Sequence, residues 1–213
     1  MGGGRGAGRR GGGSGRRGAP GGVVGEGGPV VVQRGGAGEG VRVIAGYPGF
    51  GDGGRDAMIS LPGLLLVTDR FDEALGVLRT FAGARRNGLI PNRFDDYAGD
   101  NHYNTVDASL WFVHACCEYL RTSGDRAGFD GLVPACLDVI ASYERGTDYE
   151  IGMDPGDGLI SAGHATPQRT WTDAHRGRIT VTPRPGQPVE INAPRVVALL
   201  SLGESLPSSA MPT

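Results

Sequence analysis

Four carboxylates in this chain stand beside residue types that grip or activate hydroxyl groups. Arg55 and Asp56 are adjacent; the guanidinium is a planar fork of donors, and the carboxylate accepts two hydroxyl protons. Asp107 and Trp111 lie four residues apart, with Asn104 just ahead, so on a helix the first two share one face. Trp171 precedes Asp173 by two positions, and an indole beside a carboxyl raises its pKa by partial desolvation. Glu190 stands just before an apolar helical run. Each has a plainer alternative. Asp56 suits a helix N-cap with Arg55 solvated, Trp111 a core position, Asp173 a turn or cap, and Glu190 a helix start where the dipole favours negative charge.

Other chemistries find little support. Cys116, Cys117 and Cys136 have no metal-ligand spacing, and three is an odd number for a disulfide framework. They read as buried thiols on helices in a reducing cytoplasm. His102 and His114 lack acidic or His partners at ligand spacing, with His102 expected at the surface and His114 in a core or groove. Asp154-Pro155-Gly156-Asp157-Gly158 is a tight turn without the alternating acids of a calcium loop. No metal and no cofactor is expected.

The net charge of -2 does not point to a polyanionic partner. About half of the first forty residues are Gly, with Arg5, Arg9, Arg10, Arg16 and Arg17 among them. This composition buries too little apolar surface to offset the entropy of ordering, so residues 1–40 are expected to be a disordered Gly/Arg-rich arm. Arg-Gly repeats bind nucleic acid as flexible basic arms, but this one has no aromatic residue to stack on bases. Every basic residue of the chain is Arg, which with the Gly, Ala and Pro content reflects GC-rich coding. There is no apolar core of a secretory signal and no stretch long enough to span a bilayer.

The elements that must position these residues are mainly helical. Val30 to Val32 and Val41 to Ile44 are expected as short extended segments. A helix begins near Asp56 and bends at Pro62-Gly63. Asp72 opens a second, with Ala74, Leu75, Leu78 and Phe81 at helical spacing and Gly88 as its C-cap. Asn104 or Thr105 caps a third, which directs Leu110, Trp111, Val113, His114, Cys117 and Leu120 inward and ends at Gly124-Asp125. A fourth runs from Phe129 to Tyr143. The stretch from Leu159 to Glu190 is irregular, and a last helix follows Ala193. Helix pairs joined by long loops predict an α-helical toroid, here with about five helices.

Several ordered blocks resemble one family. Tyr47-Pro48-Gly49-Phe50-Gly51-Asp52-Gly53-Gly54-Arg55-Asp56 is similar to Y-P-W-F-G-D-W-G-R-D, Thr170-Trp171-Thr172-Asp173-Ala174 to T-W-M-D-A, and the residues from Thr182 through Arg184 to Glu190, Ile191 and Asn192 to T-P-R-x-G-K-P-V-E-I-N. Gly88-Leu89-Ile90-Pro91-Asn92-Arg93-Phe94 and Tyr103-Asn104-Thr105-Val106-Asp107 extend the likeness. These patterns resemble the amylo-α-1,6-glucosidases of bacterial and archaeal glycogen debranching enzymes over residues 43–205. The resemblance implies a partial (α/α)6 toroid of the six-hairpin glycosidase type over residues 41–213. It implies hydrolysis of α-1,6-glucosidic branch points in glycogen or limit dextrin by an inverting pair of carboxyl groups about 6.5–9.5 Å apart. By the same resemblance Asp173 is the proton donor, and Arg55, Asp56, Asn104, Asp107, Trp111, Trp171 and Glu190 line the glucose pocket, with Asn192 beside them. Glycogen or an α-glucan oligosaccharide is the implied partner.

The chain also departs from the pattern. Gly49 and Gly53 replace tryptophans, and Pro194-Arg195 stand where Leu and Trp usually follow. Pro194 would suit only the first turn of a helix. The resemblance covers the N-terminal half of the catalytic domain. The water-activating base is therefore expected on the other half, on a neighbouring chain or reading frame, with the fragment itself inactive and its unpaired apolar faces prone to association. The alternative is a non-catalytic carbohydrate-binding or assembly remnant; an RNA-associated protein with an Arg-Gly tail is a third reading.

Overall fold

The computed structural model describes residues 22–25, 28–34, 41–45, 53–94, 100–163, 170, 175–176, 179–180 and 182–207. It is mainly helical. Three strands come first, β1 (Gly22–Gly25), β2 (Gly28–Arg34) and β3 (Val41–Ala45), paired antiparallel in that order with Val30 opposite Ala45 and Val32 opposite Val43. β1 and β2 lie inside the 1–40 segment whose composition predicts disorder. The Gly content there hides a run of three valines, Val30 to Val32, which pair with β3 and its Val41, Val43 and Ile44. Val43 is fully buried, and β3 packs on the first two helices.

α1 (Gly54–Leu61) passes directly into a π-helical turn, Pro62–Leu66, closed by the Val67 N–H on the Pro62 carbonyl at 3.0 Å. Pro62 has no N–H to continue the ladder, and the wider turn absorbs it while keeping Leu65 and Leu66 buried. α2 (Phe71–Ala84) buries Ala74, Leu75, Val77, Leu78 and Phe81, one face of a helix. Gly88 does not cap it. α2 ends at Arg85 in extended backbone, and Arg86 and Leu89 exchange two hydrogen bonds of 2.9 Å around Asn87 (φ 48°) and Gly88 (φ 74°). This is the Asn-Gly hairpin turn, whose two central residues need positive φ. Gly88 is also pressed on a helix: a Cβ there would sit 2.2 Å from the Ser142 Cβ.

α3 (Ala108–Ser123) is the central element and contacts α1, α2, α4, α5 and α6. Ala108, Leu110, Phe112, Val113, Ala115, Cys116, Cys117 and Tyr119 are buried, whereas Trp111, His114 and Leu120 are half-buried. It starts at Asp107, later than Asn104 or Thr105, for a reason given below. Gly124 ends it at φ 69°, the left-handed cap. The predicted fourth helix is two. α4 (Arg126–Asp130) is capped by Asp125, which accepts from the Gly128 N–H at 2.9 Å; after a break at Gly131-Leu132, α5 (Val133–Arg145) starts with Pro134 in its first turn. β4 (Gly152–Met153) pairs with β5 (Ile160–Ser161), and β6 (His175–Arg176) with β7 (Ile179–Thr180).

α6 (Val189–Ser205) begins before the predicted Ala193, so Pro194 is interior. Its missing N–H deprives the Glu190 carbonyl of its ordinary helical partner. The earlier start is held by Asn192, whose side-chain oxygen accepts the Ile160 N–H at 2.7 Å while its amide donates to the Ile160 and Pro188 carbonyls at 3.1 Å. Asn192 thus fastens α6 to β5. The outer face of α6 leaves Val189, Val196 and Leu200 78%, 56% and 63% exposed, a stripe at helical spacing with nothing described against it. No described helix is long and apolar enough to cross a membrane.

Candidate functional site

The predicted site residues fall into two neighbouring junctions along α3. The first joins the start of α1 to the approach to α3. Gly54 is tight against the segment before it in space, since a Cβ would come within 2.1 Å of the Pro91 carbonyl oxygen, and its N–H donates to the Asn92 carbonyl at 3.0 Å. This contact fixes where Arg55 leaves the helix. Its Nε donates to Asp107 Oδ2 at 2.7 Å, and its Nη2 donates to Asp107 Oδ1 at 2.9 Å and to Thr105 Oγ1 at 3.0 Å. The Thr105 hydroxyl in turn donates to Asp107 Oδ1. Asp107 has no exposed surface, so this is a buried, bidentate ion pair. Asp107 is consequently the N-terminal cap residue of α3 without making a side-chain cap bond. Its carboxylate serves Arg55, fifty-two residues away in sequence, which is why the local pattern misplaces the helix start.

Asp56, the next residue on α1, reaches solvent. The protein around it raises its carboxyl pKa by burial; Arg55 opposes that shift and Asp107 adds to it. Asn104 is half-buried just ahead of the ion pair.

The second junction lies one turn further on, where α3 packs on α6. The Trp111 N–H bonds the Asp107 carbonyl at 2.9 Å, which puts the two residues about 6 Å apart along the axis. Trp111, His114, Glu190, Ala193, Pro194 and Val197 line a cavity of about 450 Å³ with an apolar surface. The Trp111 and His114 rings meet edge to face at 5.8 Å. Trp111 Nε1 and His114 Nδ1 are buried without a hydrogen-bond partner among the described residues. Glu190 pairs with the Arg184 Nε at 2.7 Å across the start of α6.

Arg55 and Asp107 are thus brought together, as are Trp111 and Glu190, and α3 links the pairs. Trp171 and Asp173 lie outside the described residues; Thr170 beside them is buried. By sequence alone Thr105 suits a helix cap and His114 a core or groove position. The T-x-D spacing ahead of an apolar helix was the available sign for Thr105, and the i, i+3 spacing of His114 from Trp111 for the other. Among the described residues no group of three His, Cys, Asp or Glu side chains is placed to hold a metal ion.

Residues 27–209 match the model of a family described as amylo-alpha-1,6-glucosidase. The chain belongs to that family. A stretch of 68 residues is 48% identical to the glycogen debranching enzyme of Saccharomyces cerevisiae, covering 32% of this chain and 4% of the yeast protein. The amylo-α-1,6-glucosidase match therefore takes in every residue named in the two junctions, together with Trp171 and Asp173.

Proposed function

We propose that this chain supplies the glucose-gripping and proton-donating part of an inverting glycosidase that removes α-1,6-linked glucose from glycogen or limit dextrin. The observation that carries the reading is the bidentate Arg55–Asp107 pair, which ties the solvent-facing start of α1, where Asp56 stands, to the start of α3, with Trp111 one helical turn beyond Asp107. Asp56 accepts hydroxyl protons of the terminal glucose. Arg55 retains Nη1 as a donor with no partner among the described residues. Trp111 and Glu190 close the far side of the pocket, and Asn104 its rim. Asp173, with Trp171 beside it, donates the proton to the departing glycosidic oxygen. A second carboxylate, supplied from outside residues 27–209, activates water on the opposite face of the sugar. The helices form part of an (α/α)6 ring, and the reaction needs neither metal nor nucleotide.

The exposed stripe of α6 supports the half-ring arrangement and also a second reading, a carbohydrate-binding or assembly module without turnover. Incubation of the purified 213-residue protein with limit dextrin tests the proposal. The expected result is binding of the glucan without glucose release, and release on adding the complementary half of the barrel. Glucose release by the chain alone contradicts the placement of the second carboxylate. Binding that stays silent with the complementary half favours the assembly module.

A further inference from the structure

Residues 103–109 are tied down from four directions. The Tyr103 hydroxyl donates to the Ala84 carbonyl at 2.6 Å, the Tyr143 hydroxyl to the Val106 carbonyl at 2.7 Å, the Ile90 N–H to Ser109 Oγ at 2.9 Å, and Arg55 to Thr105 and Asp107. Thr105, Val106, Asp107, Ala108 and Ser109 have no exposed surface. Within this anchored segment, Thr105, Asp107 and Arg55 close a ring. The Thr105 oxygen accepts from the guanidinium and its hydrogen goes to the carboxylate. Only a hydroxyl fills both parts in that space. Asp107, with both oxygens engaged and no surface, has no means of meeting a ligand directly.

We propose that Thr105 and Asp107 are positioning residues of the glucosyl site, in which the Thr105 hydroxyl locks the Arg55 fork and thereby sets where Asp56 presents its carboxylate. This rests on the glucosyl reading of Asp56 given above. Among the described residues, the charges that act on Asp56 are Arg55 on its own helix and Asp107 across the junction. With the hydroxyl gone, Nη2 loses a buried partner and Asp107 Oδ1 loses a donor, so the fork is held by the carboxylate alone. Less of the Asp107 charge is then offset at the junction, and the Asp56 pKa rises further.

The full 213-residue chain is compared as wild type, Thr105→Val and Thr105→Ser, by carboxyl NMR titration of Asp56 and by calorimetric titration with maltoheptaose. Thr105→Val should raise the Asp56 midpoint and weaken maltoheptaose on the order of tenfold; Thr105→Ser, which keeps the hydroxyl, should restore both. An Asp56 midpoint unmoved by Thr105→Val overturns the proposal. Wild type that ignores maltoheptaose sinks the glucosyl reading instead, while the Asp56 midpoint still decides the part of Thr105. Should Thr105→Val not fold, the wild type decides: a slowly exchanging Thr105 hydroxyl proton supports the locked fork, and fast exchange overturns it.

Discussion

The two junctions on α3 are neighbours and opposites. Between α1 and α3, the carboxylate oxygens of Asp107 meet Arg55 and Thr105, and the buried charge is paired. Between α3 and α6, one turn on, Trp111 Nε1 and His114 Nδ1 find no partner among the described residues, a cavity of about 450 Å³ stands open, and α6 turns Val189, Val196 and Leu200 outward. Buried polar atoms are ordinarily satisfied. The first junction is satisfied within the chain; the second leaves two buried nitrogens without partners among the described residues beside an open apolar cavity.

Substitutions should separate the two. The largest effect belongs to Asp107→Ala, which strands Arg55 and should cost about 3–5 kcal/mol, read as a lower denaturant midpoint. Adding Arg55→Ala should recover part of that loss, because the two residues share one interaction. At the other junction the sign reverses: His114→Phe removes a buried unpaired nitrogen and should leave stability unchanged or raise it by up to about 1–2 kcal/mol. A loss as large as that of Asp107→Ala would erase the contrast.

Asp56 sharpens the comparison through pH. Its folded pKa is raised, so the folded chain holds this proton more tightly than the unfolded chain does. The contribution to stability is greatest in acid and declines as pH rises from the ordinary carboxylate value through the folded one. Asp56→Asn should therefore gain in melting temperature relative to wild type across that acidic window, with a constant difference above it. Glucan binding that needs the ionised carboxylate should fall away as pH drops through the same window. The smallest expected change is at the α6 stripe. Leu200→Glu should alter stability by no more than about 0.5 kcal/mol while lowering self-association, measured by sedimentation.

The sequence made the helices and the pairing of types legible, and the partners much less so. The apolar spacing of α2, the left-handed Gly124 and the Arg55-Asp56 step at the start of α1 are local signals and appear where expected. Two of the misplaced features depend on distant contacts. Asp107 gives up its capping bond to a guanidinium from another helix. Asn192, expected in the pocket, is consumed by the main chain of Ile160, which starts α6 early and places Pro194 inside it. Gly88 looks like a helix cap until Asn87 is seen to share its positive φ. No window of sequence around Asp107 or Asn192 contains the partner that decides it, whereas the Asn87-Gly88 turn is itself a local signal.

The central claim is that Asp56 holds a glucosyl unit from a mount built by Arg55, Thr105 and Asp107. Calorimetric titration of wild type and Asp56→Asn with a maltooligosaccharide bearing one α-1,6-linked glucose tests it most directly. The account predicts measurable binding by wild type and at least about a tenfold loss in the variant, with the fold intact by circular dichroism. Equal affinity in the two proteins would contradict it.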